Sequence, residues 1–117
     1  MAAPNIVNVS SIIGKTALQA VTTSATAIVT NSAASGKVLK VNALYVSNVD
    51  GSNAADVTVD IFRSSVAYRI ANTINVPADS TLDILSKPIY LEEGDSLRMT
   101  ASAASDLEAI CSYEEIS

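Results

Sequence analysis

Residues 55 to 76 read Ala55-Asp-Val-Thr-Val-Asp-Ile-Phe-Arg-Ser-Ser-Val-Ala-Tyr-Arg-Ile-Ala-Asn-Thr-Ile-Asn-Val76, and their alternation decides the fold class. Val57, Val59 and Ile61 alternate with Thr58, Asp60 and Phe62. Val66, Tyr68, Ile70, Asn72, Ile74 and Val76 share one parity, opposed by Arg69, Ala71 and Thr73. Successive side chains of a strand point to opposite faces, so a period of two with β-branched residues predicts half-buried strands. Ser64-Ser65 between the two runs predicts a tight hairpin.

The same period extends outward in both directions. Leu39, Val41, Ala43 and Tyr45 oppose Lys40 and Asn42, and Leu82 and Ile84 flank Asp83. Leu97, Met99 and Ala101 flank Arg98 and Thr100, while Leu107, Ala109, Cys111 and Tyr113 interleave with Glu108, Ser112 and Glu114. Strands are expected near 5–13, 17–22, 25–30, 37–49, 55–63, 66–75, 80–85, 88–91, 96–102 and 106–115. Gly14, Gly36, Gly51 and Gly94 lie in or after polar clusters and mark turns. The β-branched content of Val21 to Ala34 resists helix, leaving at most a helical turn at 15–21. The expectation is an all-β, single-domain β-sandwich, jelly-roll-like. Residues 1–13 form either an N-terminal arm or a first strand, and residues 14–117 the β-sandwich domain. The expected inward set is Val41, Tyr45, Val57, Val59, Ile61, Ile70, Ile74, Leu82, Ile84, Leu97, Met99 and Cys111.

A chain of 117 residues is the size of one domain. It has no Trp, one Phe and four Tyr, so the core must come from Val, Ile, Leu and Ala. Small aliphatic side chains each bury little area, which predicts modest stability for a lone monomer and more on association.

The net charge of −5 is unevenly distributed. No acid precedes Asp50, whereas Lys15, Lys37 and Lys40 do. From Pro88 onward Glu92, Glu93, Asp95, Asp106, Glu108, Glu114 and Glu115 stand against Arg98 alone. This is either a solvated surface or head-to-tail charge complementarity between subunits. The scattered Lys and Arg make no basic stripe, so no nucleic-acid partner is expected. No apolar run approaches 18 residues and the start lacks a basic leader region, so neither membrane nor secretory leader is expected.

Histidine is absent, which removes the usual general base and a leading metal ligand. Asp60, Asp83 and Glu108 fall on polar parities rather than in a pocket, and no serine has a recognisable base, so no catalytic residue is assigned. Asp50-Gly-Ser-Asn-Ala-Ala-Asp56 and Glu92-Glu93-Gly94-Asp95 carry enough oxygens for calcium, but both read more simply as turns. Neither cofactor nor metal is expected. Cys111 is alone, in a strand pattern that makes it a buried thiol rather than a reactive one. A lectin-like surface would lean on exposed tyrosines. Tyr45, Tyr68, Tyr90 and Tyr113 mostly fall on parities expected to be buried.

Several phrases carry a family likeness: Met1-Ala-Ala-Pro-Asn-Ile-Val-Asn-Val9, Ala25-Thr-Ala-Ile-Val-Thr-Asn-Ser-Ala-Ala-Ser-Gly-Lys-Val38, Val46-Ser-Asn-Val-Asp-Gly-Ser-Asn-Ala-Ala-Asp-Val-Thr-Val59, Ile89-Tyr-Leu-Glu-Glu-Gly-Asp-Ser-Leu97 and Glu108-Ala-Ile-Cys-Ser-Tyr-Glu-Glu-Ile116. Together they resemble small virion structural proteins of tailed phages, especially contractile-tailed phages of marine cyanobacteria. The resemblance implies a non-enzymatic particle component located in the virion. A capsid decoration (cement) protein on the major capsid protein comes first, as a homo-oligomer and best as a trimer. A neck, tail or baseplate component, or a lectin-like receptor-binding domain, is the alternative. The contact residues expected are the apolar Ile6, Val7 and Val9 of the N-terminal segment and the exposed acids Glu92, Glu93 and Asp95.

Overall fold

The computed structural model describes residues 4–117. Nine strands follow in order: β1 (Ile12–Ala20), β2 (Thr26–Thr30), β3 (Val38–Asn48), β4 (Ala55–Arg63), β5 (Val66–Val76), β6 (Thr81–Asp83), β7 (Ile89–Leu91), β8 (Ser96–Ala101) and β9 (Leu107–Ile116). There is no helix among the described residues.

Two antiparallel sheets pack as a sandwich. One has the order β1-β9-β3-β6, with β7 also on β3, and the other β2-β8-β4-β5. The pairs β1·β9, β2·β8, β3·β7 and β4·β5 are nested in sequence. The chain is therefore one long antiparallel ribbon, folded back at Ser64-Ser65 and wrapped so that β9 also meets β3 and β8 also meets β4. This is the jelly-roll arrangement. The expected hairpin at Ser64-Ser65 is present, with φ of 52° and 62°, the two positive values of a type I′ turn.

The core lies between the sheets. Val41, Leu44, Val46, Val57, Val59, Val76, Leu91, Leu97, Met99, Leu107 and Cys111 are buried there. Six of the expected inward residues are in this core: Val41, Val57, Val59, Leu97, Met99 and Cys111. Ile61, Leu82 and Ile84 pack against it partly buried.

Three expected core residues, Tyr45, Ile70 and Ile74, are exposed instead. On β3 a register shift between Val41 and Ala43 inserts Asn42 as a bulge. One extra residue inverts every later side chain, so Leu44, Val46 and Asn48 turn inward and Tyr45 outward. On β5 two register shifts break the alternation. That strand is also the edge of its sheet.

The N-terminal strands also differ from expectation. In place of strands at 5–13 and 17–22 there is one, β1. Gly14 lies inside it rather than at a turn, with open space where a Cβ would stand. Residues 15–21 are not helical.

Candidate interaction surfaces

The acidic turn after β7 is built as a clasp. Gly94 takes φ of 90° and lets the chain reverse. Asp95 then folds back, its Oδ2 accepting from the Glu92 backbone N–H at 2.8 Å. Arg63 at the end of β4 donates from Nε to Asp95 Oδ1 at 2.7 Å and from Nη2 to Oδ2 at 2.6 Å. The same Nη2 reaches Glu92 Oε2 at 2.7 Å. Glu93 accepts from the Gly36 N–H at 2.9 Å. Asp95 is fully buried, so its carboxylate is not the exposed contact charge expected from sequence. The Arg63 hydrogen bonds hold its pKa below the usual carboxylate range. Glu92 remains exposed and Glu93 half-buried.

The charge asymmetry of the sequence is met inside one chain. Glu115 on β9 accepts from Lys37 at 2.7 Å and Lys15 at 3.0 Å. These bonds lower the Glu115 pKa and raise that of Lys15. Asn42 donates to Glu114 at 3.0 Å, and Lys40 lies opposite Glu114 in register. The acid-poor start and acid-rich end are complementary because β1 and β3 both flank β9. On the other sheet Asp60 is buried under Arg98, at 2.9 Å, and Arg98 lies 3.9 Å above the Phe62 ring. Asp50 accepts from the Ser52 and Asn53 N–H groups, which lowers its pKa and uses its oxygens to hold the turn.

Several large apolar side chains are exposed as well. At the start of the described chain Asn5 Oδ1 accepts from the Val7 N–H and its carbonyl from the Asn8 N–H, a tight turn that presents Ile6 and Val7. Val7 is 82% exposed, while Val9 is half-buried. The Ser10 and Ser11 N–H groups then both donate to the Ser117 carbonyl, which anchors the segment beside β9. Residues 1–3 of the expected arm lie outside the described residues. On the outer face of the first sheet Leu18, Ile110 and Tyr45 are consecutive partners across β1, β9 and β3. All three are exposed, Leu18 at 74%. Leu18 and Ile110 of this row line an open depression of about 400 Å³ together with Ala20, Ser47 and Glu108. Sequence reasoning missed this row because Leu18 was read from a segment of uncertain structure and the β3 bulge hid Tyr45.

Tyr68 and Tyr90 are likewise exposed rather than buried, and Tyr113 is half-buried. The exposed tyrosines do not share one strand: Tyr68 is on β5 of the second sheet, Tyr90 on β7 of the first. Cys111 is fully buried, and desolvation pushes its thiol up to about 11.

At the level of sequence no protein-family model and no curated protein matches the chain. Among solved structures, one described under "Bacillus endospore appendages form a novel family of disulfide-linked pili" is similar with a TM-score of 0.52 and 14% identity, covering 92% of this chain and 88% of that one. A pentameric capsid protein isolated from metagenomic phage sequences is similar at a TM-score of 0.39 and 16% identity, covering 98% of this chain and 64% of that one. A second structure under that description, solved by iodide phasing, gives 0.39 and 16%, covering 97% and 68%. At these identities the likeness to the pilus subunit is one of fold. The disulfide chemistry in its description has no counterpart in a chain whose lone cysteine is buried.

Proposed function

We propose that this chain is a structural component of a phage virion, acting as a decoration protein bound to the major capsid protein on the head. The observation that carries the reading is a set of large apolar side chains left on the surface. The ionisable groups of the acidic turn and of β9 are largely paired within the chain, while Ile6, Val7, Leu18 and Ile110 are presented to the outside. Exposed apolar groups of this kind mark association surfaces. The sequence phrases that resemble tailed-phage virion proteins supply the particle, and the analogy with decoration proteins supplies a trimer.

The test is antibody or gold labelling of the protein in intact virions of the phage that encodes it. Label over the head surface is expected. Label at the neck, tail or baseplate would establish the runner-up position, and unlabelled virions would overturn the reading. The exposure of Tyr45, Tyr68 and Tyr90 favours a second, lectin-like reading, because such rings form sugar platforms. Specific glycan binding lost in Tyr90→Ala would establish it in place of the first.

A further inference from the structure

Four strand edges border the two sheets, and three are guarded against pairing. β2 is five residues long with a register shift between Ala27 and Val29. β5 is bulged twice, carries Arg69, and has Thr73 at φ of 48°. β6 and β7 are three residues each, and Pro88 precedes β7. Short length, bulges, proline and charge are the devices that blunt an edge.

β1 has only one of these, a single charge. It pairs with β9 over nine residues without a register shift. That charge, Lys15, is held by Glu115 of its own chain instead of standing free at the edge. The hydrogen-bond phase follows from both ends. Ser11 and Ser117 exchange both backbone bonds at 2.9 Å, and the Val21 N–H donates to the Leu107 carbonyl at 2.9 Å. Antiparallel strands alternate, so odd-numbered β1 residues bond β9. Ile12, Gly14, Thr16, Leu18 and Ala20 therefore point their N–H and C=O groups away from β9, toward no partner among the described residues.

We infer that β1 pairs antiparallel with β1 of a second copy of this chain about a two-fold axis at Leu18. This register places Thr16 opposite Ala20 of the second copy and joins free backbone groups to free backbone groups. It continues the row Tyr45, Ile110, Leu18 into Leu18, Ile110 and Tyr45 of the second copy, one apolar band across the junction. Like charges do not face each other, because Lys15 lies opposite Val21. Such an isologous contact is the commonest symmetry of soluble oligomers. The contact is a strand edge and one row of side chains, smaller than a standard interface of about 1,600 Å², so the pair forms in a concentration-dependent way. It joins two chains or two trimers alike, and it stands independently of the virion reading.

The test is disulfide trapping in the full chain under mild oxidation. Directly opposed residues of an antiparallel pair lie about 5.5 Å apart at Cα, within disulfide range. The buried Cys111 provides an unreactive background. Leu18→Cys is expected to cross-link to itself, Thr16→Cys alone not to, and a mixture of Thr16→Cys with Ala20→Cys to cross-link. Leu18→Lys is expected to halve the mass seen for the wild type by sedimentation at high concentration. Cross-linking of Thr16→Cys but not Leu18→Cys would overturn the register. Cross-linking at neither, or equally well from Tyr68→Cys on the opposite edge, would overturn the pairing.

Discussion

Asp95 is a buried carboxylate at the end of a turn whose sequence looks like a solvated acidic patch. That it would bond a nearby backbone amide was legible, since Gly94-Asp95 is a turn device. Its partner Arg63 stands 32 positions earlier, and nothing local announces it. Asp95→Ala is expected to lower unfolding stability by about 1–3 kcal/mol, because a buried acceptor site is lost and half-exposed Arg63 can turn to water. Glu92→Gln is expected to change it by under about 1 kcal/mol, as for exposed pairs. Urea unfolding of the two variants separates these cases. The same residue sets a pH dependence. Asp95 and Glu115 have folded pKa values below their unfolded ones, near 3.9 and 4.3. Their stabilisation is complete above the unfolded values and is lost as pH falls through the folded ones, so stability drops below about pH 4. Asp95→Asn should flatten that acid limb, and an unchanged profile would show that the pair is not coupled to folding.

At the scale of strands, alternation gave the sheet class and most strand positions, and failed where a bulge broke it. After Asn42 the run Ala43-Leu44-Tyr45-Val46 is apolar on both parities, so the period no longer says which face turns inward, and the parity read from Leu39 ran on to Tyr45. The inserted residue shows only in the pairing of β3 with β9. Leu44→Ala should therefore cost about 2–5 kcal/mol, the range for fully buried leucine. Tyr45→Ala on the outer face should cost far less. Equal losses in thermal or urea unfolding would restore the unbulged parity. The Ser64-Ser65 turn was legible as a hairpin but not as a strained one. Both serines hold positive φ, where an L-residue is penalised by about 1–2 kcal/mol. Replacing them with Asn-Gly, the residues a type I′ turn favours, is expected to raise stability by about 1 kcal/mol. A decrease would show that the serines make contacts beyond the turn.

For the molecule as a whole, the charge asymmetry and the apolar N-terminal segment were legible, but their roles exchange. The lysines and glutamates that could have matched one subunit to the next are joined across β1, β9 and β3 of a single chain. Composition cannot distinguish these cases, because pairing within and between chains uses the same residues. The groups proposed to face a partner are the apolar ones, Ile6 and Val7 at the turn before β1 and the row ending in Leu18, although Asp83 and Glu108 are exposed beside that row. Attachment to a particle should then depend on these side chains and only weakly on salt. The direct measurement is co-sedimentation of the purified chain with virions lacking it, from low to high salt. Saturable binding that persists in high salt and is lost in an Ile6→Asp, Val7→Asp double variant that still folds is the expected result. Absence of binding, or binding abolished by salt and indifferent to that variant, would contradict it.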